Sequence, residues 1–290
     1  MKVKQILNDL EVVPSKRRGQ NFLLNQDACR SIFNFAEIEQ NAAVLEIGPG
    51  LGALTEQILE RTKQIALVEI EQKFCEHLLI TFSELNPELL FNKSFVDIDL
   101  DLICKKLSST KINLLSNVPY SLSSELFLWI IENRKYFSSA SLLLQREFAE
   151  RLAASPGGRE YGSLSVLCSA FTNASLGNIF SGQSFFPSAD VESRLIRLEI
   201  LPESKYKIDD FSVFEKVIRS AFSHRRKTIF NSLKSSQLGL SADQVKSCLE
   251  QAGFKPTDRA ETFSAEQYAI LANVVKLVLP LVESKSANPG

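Results

Sequence analysis

The tetrapeptide Asn117-Val118-Pro119-Tyr120, which follows an apolar run over residues 112–115, could act on an aromatic amine. Such an amine attacks poorly, because its lone pair is delocalised into the ring. The side-chain oxygen of Asn117 can accept one N–H group, and a backbone carbonyl in the turn that Pro119 stiffens can accept the other. Tyr120 can stack on the ring. Asn117, Pro119 and Tyr120 are therefore candidate catalytic residues that orient an amino group for attack.

A second aromatic side chain would close the other face of the ring. We expect Phe185 or Phe186, in the segment FFPSADVES, to take that position. A base that reaches such a pocket has to be splayed out of its stack. The alternatives are core packing for these aromatic residues and an ordinary turn for Asn117 and Pro119.

Continuous apolar runs that alternate with helical patterns predict the elements that position these residues. Strands are predicted over residues 44–48, 64–70, 91–98, 112–119 and 140–146. Buried strands of this kind, alternating with helices, indicate the α/β fold class, with a parallel sheet covered on both faces. The later segments LSVLCSAF (164–171), ASLGNIF (174–180) and SRLIRLEIL (193–201) are more β-like, and strands of this kind often form an antiparallel edge.

Ligands of an open α/β sheet bind at the carboxyl ends of its strands. Gly48 and Gly50 follow the first strand, where glycine permits a sharp turn and a close approach of a ligand. Glu69 ends the second strand, where an acid accepts hydrogen bonds from ribose hydroxyls. Asp97 ends the third, where it could accept one from a purine amine. The turn also fits the G-x-G-x-x-A pattern of dinucleotide sites, so a dehydrogenase is an alternative.

A shift in composition near residue 204 predicts two domains, residues 1–203 and an all-helical part over residues 204–290. The net charge is only −1, but basic residues cluster over 219–234 and at Lys16-Arg17-Arg18. Local clusters on a neutral protein indicate a phosphate-bearing partner, although either cluster alone could be a solvated surface. Capping boxes are predicted at the serines that begin two of the helices, Ser241 with Gln244 and Ser264 with Gln267.

The cysteines and the apolar runs indicate the compartment. Five cysteines lie far apart without metal-site spacing, which predicts buried thiols in a reducing environment and no bound metal. No apolar run is long enough to cross a bilayer, and the charged first residues are not a signal peptide. We therefore expect a cytoplasmic protein with no membrane partner, and a monomer.

A series of segments resembles the KsgA-type ribosomal RNA adenine dimethyltransferases, in the order found there, from about residue 16 to residue 275. The segments are GQNFLLN, LEIGPGLGALT, VEIE, VD, NVPY, REYGSLSV, FFPSADVES, FSHRRKTIFNSL and RAETFSAEQY. NVPY together with GQNFL and F-x-P…V-x-S is more specific than a glycine-rich turn. The chain departs from the family pattern at Val118, Ser188, Ala189 and Glu192.

This resemblance implies a Rossmann-like S-adenosylmethionine-dependent methyltransferase sheet with a smaller, helical, rRNA-binding C-terminal domain. It also implies dimethylation of N6 of two adjacent adenosines in a 3′-terminal hairpin loop of 16S rRNA, coupled to biogenesis of the 30S subunit, with the immature 30S subunit as partner. The alternatives are dimethylation of large-subunit rRNA and an assembly factor that binds without methylating.

The resemblance also implies a role for each candidate residue. Asn21 and Leu23 would line the cofactor site together with Asn117, and Gly48 and Gly50 would approach the methionine part of the cofactor. The remaining expected contacts are Glu69 with the ribose, Asp97 with the cofactor adenine, Phe185 with the target base, and Arg225, Arg226 and Lys227 with rRNA.

Overall fold

The computed structural model describes residues 3–15, 19–224 and 226–279. The chain divides into two compact units. One comprises the described residues up to Ala153 together with Phe171–Glu203, and the other comprises Ala154–Ala170 with the described residues from Ser204 onwards. The sequence predicts a boundary at the same place, between residues 203 and 204. The segment 154–170, which the sequence assigns to the first domain, belongs to the second unit.

Short strands and helices alternate along the first unit. The strands are β1 (Phe22–Leu23), β2 (Val44–Ile47), β3 (Ile65–Val68), β4 (Leu90–Phe91), β5 (Ile112–Asn117), β6 (Phe137–Gln145), β7 (Thr172–Phe180), β8 (Phe185–Phe186) and β9 (Ser193–Ile200). The helices of both units are α1 (Val3–Asp9), α2 (Gln26–Phe35), α3 (Ala53–Leu59), α4 (Gln72–Thr81), α5 (Leu100–Lys106), α6 (Ser123–Glu132), α7 (Arg146–Leu152), α8 (Ser163–Phe171), α9 (Phe211–Ala221), α10 (Ile229–Lys234), α11 (Ala242–Gln251) and α12 (Ala265–Val278).

In the described part of the chain, seven of the strands form one sheet in the order β4-β3-β2-β5-β6-β9-β7. The first five of these are parallel, and β9 runs antiparallel to both β6 and β7. The predicted α/β fold with an antiparallel edge is therefore confirmed. The strand order reverses at β2, so the carboxyl ends of β2 and β5 flank the crevice where ligands of such sheets bind.

The two remaining strands form a small sheet that joins two distant segments of sequence. Strand β1 pairs antiparallel with β8, with Phe22 opposite Phe186 and Leu23 opposite Phe185. Leu23 and Phe185 are buried in the same core cluster. Helix α2 begins directly after β1, where the side chain of Asn25 accepts the Asp27 N–H at 2.7 Å and caps the helix. This small sheet therefore holds the segment that contains β1 in place at one wall of the crevice.

Two predicted strands are wrong. Of the segment 91–98, only Phe91 belongs to a strand, because β4 is limited to Leu90–Phe91 and a 3₁₀ turn covers Phe95–Asp97. The segment 164–171 lies within helix α8. Both errors have a physical cause: a short apolar run does not distinguish a buried strand from a buried helix.

The second unit is helical, and its helices begin at side-chain caps. The predicted capping boxes, Ser241 with Gln244 and Ser264 with Gln267, are both present. The Tyr268 ring contacts the rings of Phe254 and Phe263, and its hydroxyl donates to the Ala260 carbonyl at 2.7 Å. Across the residues that the structure describes, no helix is long and apolar enough to span a membrane.

Candidate active site

A cavity of about 950 Å³ opens in the first unit at the carboxyl ends of β2, β3 and β5. Its lining includes most of the residues that the sequence singles out, namely Asn21, Leu23, Gly48, Gly50, Glu69, Asn117, Pro119 and Tyr120. Asp97 and Phe185 are not among the residues that line it. The parallel register brings these residues together, because Ile47 at the end of β2 lies level with Val68 at the end of β3.

The glycine-rich turn forms one side of this cavity. Gly48, Gly50 and Gly52 have φ values of 68°, 55° and 84°, a left-handed conformation that favours glycine. The Gly50 N–H donates to Glu69 Oε2 at 3.1 Å, and the Glu71 N–H donates to Glu69 Oε1 at 2.9 Å. Burial raises the pKa of Glu69, whereas these backbone bonds oppose that rise. The turn and the acid that ends β3 are thus coupled directly.

A second buried acid in the lining, Glu46, is part of the predicted motif but has no role in the sequence-based prediction. It is only 1% exposed, and it accepts the Thr55 hydroxyl at 2.6 Å. Burial raises the pKa of Glu46 to about 8. The hydrogen bond from Thr55 lowers this pKa by a smaller amount, and the nearby Glu69 raises it further. Within the described residues, neither Glu46 nor Glu69 forms an ion pair. The cavity therefore carries two buried carboxyl groups that form no ion pair with a described basic side chain, and burial favours their protonated forms.

The amide of Asn117 has a fixed orientation. Its Nδ2 donates to the Asn21 carbonyl at 2.9 Å, so the amide oxygen is the atom that stays available. None of the hydrogen bonds seen between described residues ends on this oxygen. Asn21, predicted to line the cofactor site, thus has a further role as the residue that orients Asn117.

The second acceptor in the turn is the Val118 carbonyl, not that of Pro119. The Pro119 carbonyl accepts the Leu122 N–H at 2.8 Å, which closes the turn before α6. The Val118 N–H is bound to the Leu143 carbonyl at 3.2 Å, and no described residue donates to the Val118 carbonyl. Proline at 119 therefore fixes the turn, with φ at −56°, while Val118 supplies the unpartnered oxygen.

The ring of Tyr120 is held at its far end. Its hydroxyl shares a hydrogen bond of 2.7 Å with Ser193 Oγ, and Ser193 is fully buried at the start of β9. Burial raises the pKa of Tyr120, and the bond to Ser193 opposes that rise. Tyr120 lines the cavity, and stacking of its ring on a base stays a prediction.

Asp97 does not lie where the sequence predicts it. Its side chain is exposed in the 3₁₀ turn, because β4 ends six residues earlier, at Phe91. Lys93, Ser94 and Phe95 line the cavity in its place. The polar run Asn92-Lys93-Ser94 directly after the strand is a turn signal that could have moved the predicted strand end back to this point.

Phe185 is a core residue rather than a residue of the pocket. It is 2% exposed and belongs to the same buried cluster as Leu23, Leu143 and Leu195. Phe186 is partly buried, and it also lies outside the cavity lining. In this structure Phe185 matches the alternative of core packing, and its contact with a target base stays a prediction.

The first helix also contributes to the cavity, which the sequence gives no reason to expect. Val3 and Ile6 of α1 line it beside Phe74 of α4. The Lys73 ammonium group donates to the carbonyls of Leu10 and Glu11, at 2.8 and 3.3 Å, at the end of α1. Carbonyls at a helix C-terminus lack partners within the helix and favour a cation.

The predicted basic residues lie in the second unit. Arg226 and Lys227 are exposed, between α9 and α10. Arg225 lies outside the described residues, as do Lys16, Arg17 and Arg18 of the N-terminal cluster. No group of acidic, histidine and cysteine side chains in the described residues could hold a metal ion.

Comparison with known proteins gives consistent similarities over nearly the whole chain. The profile of the family described as ribosomal RNA adenine dimethylase matches residues 14–276. A protein of Clostridium botulinum named ribosomal RNA small subunit methyltransferase A is 34% identical over 279 residues, covering 96% of this chain and 100% of its own length. The protein of the same name from Alkaliphilus metalliredigens is 32% identical over 275 residues, covering 94% of this chain and 96% of its own.

Solved structures share the fold. A dimethyladenosine transferase from Plasmodium falciparum matches with a TM-score of 0.67 and 22% identity, covering 86% of this chain and 95% of its own. The 23S rRNA methyltransferase ErmE matches with a TM-score of 0.63 and 21% identity, covering 88% of this chain and 100% of its own. At these identities the likeness concerns the fold, which is that of Rossmann-like methyltransferases.

Proposed function

Because this chain belongs to the family of ribosomal RNA adenine dimethylases, we propose that it dimethylates N6 of two adjacent adenosines in the 3′-terminal hairpin loop of 16S rRNA. The observation that carries the proposal is a pair of oxygens, Asn117 Oδ1 and the Val118 carbonyl, to which no described residue donates a hydrogen bond. They lie in a cavity that also holds the glycine turn and Glu69. Family membership is inconsistent with the dehydrogenase alternative.

The cavity fits S-adenosylmethionine as the donor. Its volume of about 950 Å³ exceeds what a ligand of that size needs. Glu46 and Glu69 are buried and form no ion pair in the described chain, and a ligand with a sulfonium and an ammonium group would favour their ionised forms. Gly48 and Gly50 permit close approach of the methionine part, and Glu69 can accept hydrogen bonds from the ribose. Of the residues that follow β4, Ser94 and Phe95 line the cavity and Asp97 does not.

The chain's own residues act mainly by orientation. The donor, when bound, supplies the methyl group. Asn117 Oδ1 and the Val118 carbonyl each accept one N–H of the amine, which fixes the direction of the nitrogen lone pair. Neither oxygen is a strong base, so the proton of the amine leaves only after the nitrogen has become positively charged. The Tyr120 ring stacks on the base and makes the extruded position favourable.

The second unit would hold the rRNA. Arg226 and Lys227 are exposed, and within the described residues neither forms an ion pair, so both are available to phosphates. We propose the immature 30S subunit as the substrate, with a cytoplasmic, monomeric enzyme. The alternatives are dimethylation of large-subunit rRNA and an assembly factor that binds without methylating.

Labelled S-adenosylmethionine incubated with undermethylated small subunits, followed by nucleoside analysis and mapping, tests the proposal. We expect N6,N6-dimethyladenosine at two adjacent positions near the 3′ end of 16S rRNA. Modification found only in large-subunit rRNA would refute the substrate. Binding of immature subunits without any methyl transfer would support the assembly factor instead.

A variant of Asn117 tests the mechanism separately. Asn117→Ala should lower the methylation rate on the order of a hundredfold, because one of the two acceptors is lost, while binding of donor and subunits is retained. Asn173→Ala is the matched control, since Asn173 is an exposed asparagine of β7 whose amide contacts Glu199 away from the cavity. A normal rate in Asn117→Ala would show that the proposed role of Asn117 is wrong.

A further inference from the structure

Ser193 lies at the junction of three strands and does not line the cavity, but it is hydrogen-bonded to Tyr120, which does. Its backbone pairs with Gln145 at the end of β6 and with Phe180 at the end of β7. Its side chain is completely buried, and its Oγ is 2.7 Å from the Tyr120 hydroxyl. In the sequence this serine is only the last residue of the V-x-S segment, and no pattern assigns it a role. The proposed function does not use this buried hydrogen bond between Ser193 and the aromatic ring that lines the cavity.

The residues on both sides of Ser193 are anchored by ion pairs. Arg146 donates to Glu192 at 2.8 Å and to Glu150 at 2.9 Å, and Arg194 donates to the same Glu150 at 2.7 Å. The Arg146 N–H also donates to the Glu192 carbonyl at 2.9 Å. Because Glu192 and Arg194 are both tied to α7, the backbone between them has little freedom. The hydroxyl of Ser193 is thus presented at a fixed point.

Tyr120 is fixed at its other end by its own turn. The Tyr120 carbonyl accepts the Ser123 hydroxyl at 3.1 Å, and the Pro119 carbonyl accepts the Leu122 N–H at 2.8 Å. The backbone of Tyr120 is therefore defined, but the ring can still rotate about its side-chain bonds. The bond from the ring hydroxyl to Ser193 fixes the far end of the ring and so restricts rotation about the Cα–Cβ bond. A ring fixed at both ends presents one face to the cavity without an ordering cost when a base arrives.

We propose that Ser193 is a positioning residue, which holds the Tyr120 ring in the orientation that stacks on the target adenine. This inference rests on the proposed function, because the stacked ligand is the base of that reaction. Ser193 itself touches neither base nor donor; it acts through Tyr120. The anchored segment Glu192-Ser193-Arg194 sets the position of the Ser193 hydroxyl. Residues of β9 therefore contribute to the specificity of the pocket for a planar base.

A double-mutant cycle of Tyr120→Phe, Ser193→Ala and their combination tests the coupling. Each single variant removes the same hydrogen bond and should lower kcat/KM for undermethylated small subunits by about five- to tenfold, with the Kd for S-adenosylmethionine unchanged. The combined variant should be no worse than either single one. Multiplication of the two losses, or normal kcat/KM in Ser193→Ala, would overturn the proposal.

Ser141→Ala is the matched control. Ser141 is a buried serine of β6 in the same sheet, and its Oγ has no hydrogen-bond partner in the described part of the structure. This variant should keep normal kcat/KM. A general effect of removing a buried serine hydroxyl would appear in Ser141→Ala as well, and such a result would overturn the specific role of Ser193.

A measurement without rRNA separates this proposal from the proposed function. With 3-fluorotyrosine at position 120, the fluorine NMR signal should shift and broaden in Ser193→Ala and should stay unchanged in Ser141→Ala. An unchanged signal in Ser193→Ala would refute the positioning role, whatever the activity. If the signal responds as expected but the wild type forms no dimethyladenosine in rRNA, the proposed function fails while the hold of Ser193 on Tyr120 stands.

Discussion

Replacement of Glu46 by glutamine should make the protein more stable, by an amount that grows with pH. The Glu46 carboxyl is 1% exposed at the end of β2, and the Thr55 hydroxyl at 2.6 Å is its hydrogen-bond partner. Burial raises the pKa of this carboxyl from 4.5 to about 8, and the nearby Glu69 adds to the rise. At neutral pH the carboxyl is therefore mainly protonated in the folded protein, but it is ionised in the unfolded chain.

The sign follows from proton binding. Between pH 4.5 and about 8 the folded state holds a proton that the unfolded state has released, so the free energy of unfolding falls as pH rises. No such loss occurs below pH 4.5, and it is complete above about 8. At about 1.4 kcal/mol per pKa unit, the Glu46 contribution between about pH 5.5 and pH 8 is roughly 3 kcal/mol. Glutamine cannot ionise, and its amide oxygen can still accept the Thr55 hydroxyl.

Urea unfolding of the wild type and Glu46→Gln at several values between about pH 5.5 and pH 8 provides the measurement. The difference in unfolding free energy should increase in favour of the variant by about 3 kcal/mol across this range. Glu60→Gln, which removes an exposed carboxyl at the end of α3, serves as the control. Parallel curves for the wild type and Glu46→Gln would refute the reasoning, because they would mean that Glu46 ionises alike in the folded and unfolded states.

The remaining predictions concern a glycine, a core aromatic and the basic surface. Gly52→Ala should lower the unfolding free energy by at least about 2 kcal/mol, because φ is +84° and the new Cβ would overlap the Phe82 ring; urea unfolding measures this. Phe185→Ala should lower it by about 3–5 kcal/mol in the same assay, because the ring is buried in the core. The double variant Arg226→Gln/Lys227→Gln should weaken rRNA binding and reduce the slope of log affinity against log salt by about 1.5 in a titration.

Matched variants decide between causes in two of these experiments. Gly48→Ala shares the positive φ, at 68°, but its Cβ would meet no atom within 4 Å, so it should be less destabilising than Gly52→Ala. Phe186→Ala removes a partly buried ring from the same short strand and should cost less than Phe185→Ala. If Phe185→Ala left the unfolding free energy unchanged but weakened binding of the base, the result would support a stacking role for Phe185.

The sequence predicts well which residues meet at the ends of β2 and β3, because local patterns determine these elements. The apolar runs at 44–48 and 64–70 match β2 and β3 closely, and the glycines between them require a turn there. In a parallel sheet, consecutive strand ends meet at one edge, so the positions of Gly48 and Glu69 follow from the order of the elements alone. No long-range information is needed for this part of the site.

The sequence fails where a boundary or a distant contact decides the outcome. Asp97 is misplaced because the apolar residues Phe95 and Val96 extend the apparent strand, whereas the chain turns at Asn92 and brings Ser94 to the cavity. The burial of Phe185 does not follow from its local sequence, because it depends on the pairing of β8 with β1, more than 150 residues earlier in the chain. Neither the strand end nor this pairing has a periodic signal.

The turn over Asn117–Tyr120 depends most on information that the sequence lacks, namely which of its oxygens are already hydrogen-bonded. The motif Asn117-Val118-Pro119-Tyr120 contains four backbone carbonyls and one side-chain amide, and its sequence does not reveal which oxygens are engaged. The structure assigns the Pro119 carbonyl to the turn and fixes the Asn117 amide against the Asn21 carbonyl. The side-chain oxygen of Asn117 and the carbonyl of Val118 accept no hydrogen bond from a described residue. Since an amino group offers two N–H donors, the recognition of an amine depends on this pairing of free acceptors rather than on the four residue types themselves.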